Sequence, residues 1–233
     1  MKTLLIVDGN GLMHRAFHAL PPFKTASGVP TQVVYGFFSI IHKSIIDFHP
    51  THLVIFFDTP AQTFRNALLP EYQAQRPKIA DDFGKQIPMI KTALKLNNTV
   101  YRELDGYEGD DVMATVAKKA ESNGFDVLIL TGDKDMMQLV NQRISTVTPE
   151  IGYSKTKIYN EEAVLQKMGV PPTQVPDLKA LAGDPSDNYK GANGIGPKTA
   201  IKLLNEFGTV ENLLRKINTL PDGKIKDRLN ESR

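Results

Sequence analysis

Three short apolar runs each end in an aspartate: Leu4–Val7 before Asp8, Leu53–Phe57 before Asp58, and Val127–Leu130 before Thr131, Gly132 and Asp133. Two acidic clusters join them, Glu108-Gly109-Asp110-Asp111 and Asp184-Pro185-Ser186-Asp187, and Asp135 completes a set of nine acids. Two carboxylates 4 Å apart repel by about 4 kcal/mol at an effective dielectric near 20. Several held together would cost much of a domain's stability, which is typically ~5–15 kcal/mol. Protonation, basic partners or metal ions relieve such repulsion. Bases are scarce here: from Asp105 to Asp135 there are eight acids and three bases, and Lys134 is the only base between Asp133 and Asp135. Oxygen donors without His or Cys suit Mg²⁺ or Mn²⁺ and not Zn²⁺. One Mg²⁺ usually takes one or two carboxylates. Nine acids therefore fit a two-metal site, the kind that clamps the attacking and leaving oxygens of a phosphoryl displacement.

Helix capping is the competing explanation. Asp8, Asp58 and Asp133 could each start a helix, and Glu108 stands where a first-turn acid favours the helix dipole. Capping accounts for any one of them but not for three strand-end aspartates together with two clusters.

The elements that must position these acids follow from periodicity. Short runs of Val, Ile, Leu and Phe bounded by polar residues read as buried strands of a parallel sheet, and functional groups on such sheets gather at the strands' carboxyl ends. Strands are expected at 3–7, 53–57, 99–102, 127–130 and 144–147, with helices at 11–20, 32–48, 85–96 and 108–122. This alternation indicates an α/β core. From Asn160 onward the pattern changes to short helices, at 161–168, 174–182, 198–207 and 209–217. Residues 59–83 are polar, carry Pro60, Pro70 and Pro77, and include Arg65, Tyr72 and Arg76. A stretch of that length without a core pattern is functional or disordered.

With 233 residues, 41% of them hydrophobic, the chain is long enough for one large core or a core and a small lobe. It has no cysteine, which excludes disulfides and thiolate metal sites. The apolar run after Met1 is too short for a secretory leader and no segment is long enough to span a bilayer, so a cytoplasmic address and no membrane partner are expected. Net charge is +2, unevenly spread: residues 190–233 carry nine bases and five acids. An acidic centre beside a basic end suits a polyanion gripped by one part and cut by another, although a solvated basic helix face has the same composition.

The segment Gly194-Ile195-Gly196-Pro197-Lys198-Thr199-Ala200 supplies a grip. Its glycines permit a tight turn with outward N–H groups, Pro197 suits the first helical position, and exposed amides at a helix start bind phosphate, with Lys198 adding charge. Thr199 and Lys202 lie on the same helix start. No side chain here reads a base, so binding should be independent of sequence. An ordinary turn between two helices is the plainer alternative.

Taken together, these stretches resemble the 5′-nuclease (flap endonuclease-like) family, in particular the N-terminal 5′–3′ exonuclease domain of bacterial DNA polymerase I. The resemblance rests on Val7-Asp8-Gly9-Asn10, Arg15-Ala16-Phe17-His18-Ala19, Phe57-Asp58, Thr63-Phe64-Arg65, Pro70-Glu71-Tyr72, Gly106-Tyr107-Glu108-Gly109-Asp110-Asp111, Thr131-Gly132-Asp133-Lys134-Asp135, Gly183 to Asn188 and Gly194 to Ala200, in family order over nearly the whole chain. It implies a mostly parallel central sheet of PIN/5′-nuclease type flanked by helices, a helical arch at about 59–84 within a nuclease core of residues 1–160, and a lobe of residues 161–233 with a helix-hairpin-helix at about 183–207. Asp8, Asp58, Glu108 and Asp110 then look like ligands of a first Mg²⁺ or Mn²⁺. Asp111, Asp133, Asp135 and Asp187 look like the second set, with Asp184 in support. Arg65, Tyr72 and Arg76 would meet the scissile phosphate or terminal bases, Arg15 a further phosphate, and the hairpin with Gly194, Gly196, Lys198, Thr199 and Lys202 the downstream duplex, with K⁺ often at the hairpin. The sequence departs from the family in one place: Gln73 stands where a lysine usually follows Glu-Tyr in the arch. The chain also stops near Arg233, short of the family's usual domain end, and carries no polymerase segment.

The implied activity is two-metal hydrolysis of DNA at 5′ flaps, nicks or 5′ ends in replication and repair, by a monomer acting with a polymerase in cis or in trans. Two alternatives stand beside it. A flap- or junction-binding protein that does not cut would tolerate eroded acids, whereas all nine are present. A PIN-like ribonuclease would share the strand-end acids, but the glycine hairpin and the arch segment favour DNA.

Overall fold

Leu5 and Val7 face one side of the central strand and Ile6 the other, and all three are fully buried, as expected of a strand covered on both faces. The computed structural model describes residues 2–76, 80–150 and 155–232. Pro77 of the arch segment and Arg233 of the basic end lie outside the described residues. The chain divides into two compact units, Met1–Phe64 with Pro77–Asn160, and Arg65–Arg76 with Glu161–Arg233.

The first unit is built on the strands β1 (Thr3–Asp8), β2 (His52–Phe56), β3 (Tyr101–Arg102), β4 (Asp126–Leu130), β5 (Ile144–Pro149) and β6 (Thr156–Tyr159), in the order β3-β2-β1-β4-β5-β6. The first five pair in parallel and β6 adds antiparallel to β5. The chain steps outward from β1 through β2 to β3, then returns to β4 on the other side of β1. The sheet order therefore reverses between β1 and β4, the position at which open α/β sheets place their functional groups. Leu4 pairs with His52 on one flank and with Val127 on the other, so Asp8 and the 131–133 turn emerge at the same edge.

Helices α1 (Gly9–Ala19) and α2 (Gln32–Phe48) cover one face with α5 (Gln86–Leu96), burying Leu12, Met13, Phe37, Ile40, Ile90 and Leu94 against Leu5, Val7 and Ile55. Short helices α3 (Phe64–Leu68) and α4 (Asp81–Gly84) precede α5, and buried Phe83 joins the same core. On the opposite face α6 (Gly109–Ser122) and the 3₁₀ turn Asp135–Leu139 bury Met113, Ala117 and Met136 against Ile6, Phe56 and Ile129.

The second unit contains α7 (Glu161–Met168), α8 (Val175–Ala182), α9 (Pro197–Phe207), α10 (Val210–Arg215) and α11 (Lys224–Glu231). Among the strands and α-helices, β6, α11, α3 and α4 were not expected from the sequence. β6 is a four-residue edge strand whose alternation is diluted by Lys157, as edges often are. α11 offers only Ile225 and Leu229 as apolar residues at helical spacing, too few to stand out. The segment read as lacking a core pattern carries α3, a run of turns from Pro70 to Gln75, and α4.

Candidate active site

Asp8 caps α1 and still reaches across the sheet. One carboxylate oxygen, Oδ1, accepts from the Gly11 N–H at 2.7 Å, and Oδ2 accepts from the Thr131 hydroxyl at 2.8 Å. The capping explanation was thus half of the truth: β1 ends in a helix cap whose second oxygen ties it to the end of β4. Thr131 in turn accepts from the Asp133 N–H at 3.0 Å, and Asp133 Oδ1 accepts from the Asp135 N–H at 2.8 Å. Asp58 follows β2 and caps no helix of its own. Its N–H donates to Asn10 Oδ1 at 3.1 Å, and its Oδ1 accepts from the Gly109 N–H at 2.6 Å, at the start of α6 where amides attract an anion. Glu108 precedes α6, and Asp111 Oδ2 accepts from the Glu108 N–H at 3.2 Å. Asp8, Asp58, Glu108, Asp110 and Asp133 therefore come to one edge of the sheet, held by backbone amides and by Thr131 and Asn10.

Close approach explains two of the glycines. A Cβ on Gly11 would overlap the Asp8 carboxylate, and one on Gly109 would stand 3.0 Å from Asp58 Oδ1. Alanine normally favours a helix over glycine by about 1 kcal/mol. Here Gly11→Ala is expected to destabilise by about 1–3 kcal/mol instead, which a thermal melt of the purified variant would show.

Burial is the largest force raising Asp8, to about 6, with Asp58 and Asp133 adding to it against the hydrogen bonds from Gly11 and Thr131. Asp110 is raised further, to about 8, by burial first and then by Asp8, Asp133, Asp58 and Glu108. The charged groups acting most strongly on Asp110 are all acids. A partly buried carboxyl ringed by carboxylates is the arrangement that a divalent cation relieves, and the all-oxygen donor set fits a hard one.

The helical unit holds the other acids. Asp184 is already engaged: its Oδ1 accepts from the Ser186 N–H at 2.9 Å and it pairs with Lys179. Burial acts to raise its carboxyl, but Lys179 and Ser186 together hold it below the usual range. Asp187 receives the Gln73 amide and the Arg76 guanidinium, each at 2.9 Å on Oδ1. Arg65 lies on α3 and Tyr72 in the turns that follow, in this same unit, whereas Arg15 is half-buried on α1 of the first.

At the hairpin, Gly194 adopts φ +69°, a left-handed conformation that glycine reaches without strain. Gly196 is the N-cap of α9 and Pro197 opens it. Lys198 and Lys202 are exposed and Thr199 is half-buried. The Arg228 guanidinium from α11 donates to the Gly194 carbonyl at 2.8 Å, and the Asn193 N–H donates to Ser232 Oγ at 3.1 Å. Thr131, Asn10, Lys179 and Arg228 were not singled out from the sequence. Thr131 and Asn10 stand inside motifs that were, Thr-Gly-Asp and Asp-Gly-Asn. Arg228 carries no such signal, because it reaches the hairpin from a helix thirty-four positions away.

Comparison with known proteins agrees with this fold. The 5′-3′ exonuclease N-terminal resolvase-like domain matches residues 3–169, and the 5′-3′ exonuclease C-terminal SAM fold matches residues 170–233. The 5′-3′ exonuclease of Aquifex aeolicus is 44% identical over 215 residues, covering 92% of this chain and 73% of that protein. DNA polymerase I of Bacillus subtilis is 41% identical over 230 residues, and there the chain spans 99% of itself but 26% of the polymerase. Among solved structures, T5 5′-exonuclease with bound zinc ions superposes with a TM-score of 0.79 at 25% identity, covering 99% of this chain and 85% of that one. Flap endonuclease-1 from Methanococcus jannaschii shares the fold, with a TM-score of 0.60 at 17% identity over 98% of this chain and 76% of that one. By these matches over residues 3–233, the chain belongs to the 5′-3′ exonuclease family.

Proposed function

We propose that this chain is a divalent-metal-dependent, structure-specific 5′ nuclease that hydrolyses DNA phosphodiesters at 5′ flaps, nicks and 5′ ends, as a nucleoid-associated monomer serving replication and repair with a DNA polymerase in cis or in trans. The observation that carries the reading is Asp110, held half-buried among Asp8, Asp58, Asp133 and Glu108 at the reversal of the sheet. Asp8, Asp58, Glu108 and Asp110 would hold one Mg²⁺ or Mn²⁺, Asp111, Asp133 and Asp135 would contribute to a second, and Asp187 is a cation ligand of the helical unit, with Asp184 fixing its loop. Bound cations would activate water and neutralise charge on the phosphate. The chain's own residues do the rest. Gly109 and Asn10 orient Asp58, Thr131 orients Asp8, and Arg65, Tyr72, Arg76 and Arg15 steer the 5′ strand. The hairpin at Gly194 and Gly196 would hold a K⁺, which would balance charge on the duplex phosphates. The decisive experiment incubates the protein with a labelled 5′-flap DNA duplex and with its RNA counterpart, each in Mg²⁺, Mn²⁺ and EDTA. Metal-dependent release of the DNA flap supports the reading. Binding without cleavage would favour the non-cutting alternative, and cleavage of the RNA alone a ribonuclease.

The hairpin gives a second expectation. Lys198→Ala should weaken duplex binding alike for unrelated sequences and make its salt dependence shallower by roughly one unit of slope. Fluorescence anisotropy at several salt concentrations measures both, and a loss confined to some sequences would mean that the hairpin reads bases.

A further inference from the structure

The turn of residues 71–76 is bound to the acidic loop 184–188 by a convergent set of polar contacts within the helical unit. Gln73 Nε2 and Arg76 Nη2 both donate to one oxygen, Asp187 Oδ1, each at 2.9 Å. The Gln73 N–H donates to the Asp187 carbonyl at 3.1 Å. Gln75 Nε2 donates to the Pro185 and Ser186 carbonyls at 3.0 and 3.2 Å, and in return Asn188 Nδ2 donates to the Glu71 carbonyl at 2.9 Å. Gln73 and Asn188 both sit at left-handed φ, +54° and +59°. Asparagine accepts that conformation readily, whereas glutamine adopts it at a cost that its two bonds to Asp187 offset.

In this arrangement the arginine proposed for an anion and one oxygen of the carboxylate proposed for a cation are engaged with each other. We propose that Gln73 and Arg76 form a latch on Asp187, so that uptake of a divalent cation by Asp187 and release of Arg76 toward a phosphate are one event. Oδ1, which accepts two donors, has little lone-pair capacity left, so a cation that bonds Asp187 through Oδ1, alone or together with Oδ2, must displace them. Arg76 Nη2, held by Asp187, is likewise turned from any bidentate grip on a phosphate that would use it. Breaking the latch once serves both ligands. Whichever arrives first bears the opening and the other does not, so cation and 5′-phosphate DNA must bind with positive, reciprocal coupling. Gln73 is thus a positioning residue, and being uncharged it acts on the cation through contact and not through field.

The inference rests on the reading of Asp187 as a cation ligand, and the experiment separates the two. Mn²⁺ alone, without DNA, is titrated into the full chain and into Gln73→Ala, Arg76→Ala and Asp187→Asn, with free Mn²⁺ followed by electron paramagnetic resonance. Hydrogen exchange of the 72–76 amides is measured with and without Mn²⁺, and melting curves check that each variant folds. Asp187→Asn should lose one Mn²⁺ site. Gln73→Ala and Arg76→Ala should bind Mn²⁺ at that site about three- to tenfold more tightly, the scale of one or two partly exposed polar contacts. Mn²⁺ should speed exchange of the 72–76 amides in the parent chain but not in Asp187→Asn. Tightening in Arg76→Ala alone would reduce the effect to long-range charge and overturn the latch. Unchanged or weaker Mn²⁺ binding in both variants, while Asp187→Asn loses its site, would overturn the latch and leave the ligand reading intact. Full Mn²⁺ binding by Asp187→Asn would overturn both.

Discussion

Asp110→Asn is expected to abolish cleavage while leaving DNA binding intact. Asp110 feels Asp8, Asp58, Asp133 and Glu108 at once, so it is the carboxylate most exposed to the field that a cation would cancel. An asparagine of the same shape keeps the packing but donates where a ligand must accept. Single-turnover cleavage of a 5′-flap substrate should fall by about a thousandfold, or roughly 4 kcal/mol of barrier, with the flap dissociation constant changed by less than about threefold. A loss below about tenfold would move the centre of the chemistry elsewhere. The same variant should melt higher than the parent in EDTA, because it removes one carboxylate from a repelling group. That second readout distinguishes a lost ligand from a damaged fold.

The pH dependence of stability should run opposite to that of ordinary acid-unfolding proteins. Asp8 titrates near 6 and Asp110 near 8 in the folded, metal-free chain, against about 3.9 for an unfolded aspartate. Between those limits the folded state binds more protons than the unfolded one, so stability is present at low pH and is lost as pH rises from about 4 toward 8. The slope approaches about 1.4 kcal/mol per pH unit while one such group titrates. Melts in EDTA between pH 5 and 8.5 should therefore show the midpoint falling as pH rises. Millimolar Mg²⁺ should restore it most at the alkaline end, where cation and proton no longer compete, and little at pH 5. A midpoint equally insensitive to pH and to Mg²⁺ would mean that the acids do not act as one group.

Much of the fold could be read from the sequence because the relevant signals are local. β1, β2 and β4 are unbroken apolar runs, and α6 has a three-to-four-residue apolar spacing set beside an acidic start. What could not be read depends on contacts remote in sequence. β6 becomes a strand only because β5 offers it an edge, and α11 is helical with just Ile225 and Leu229 to bury. The acids were legible as residue types, but their supports were not. Thr131 matters because it lies opposite Asp8 across a parallel pair, and Arg228 because α11 returns to the hairpin. Gln73 was legible only as a departure from an expected lysine. Its bond to Asp187, more than a hundred positions away, belongs to tertiary structure alone.

The central position of β1 also constrains how the protein is made. This strand precedes both of its neighbours in the chain, and one of them, β4, begins only at Asp126. Until the residues from Asp126 to Thr131 have been translated, Leu5, Ile6 and Val7 have a pairing partner on one flank only, and Asp8 lacks the hydroxyl of Thr131. The acidic edge is therefore assembled late and in one step when β4 docks, a long-range closure of the kind that slows folding. Nascent chains that end before Asp133 should be unable to hold the full complement of cations, so nuclease competence arrives abruptly during synthesis and not by degrees.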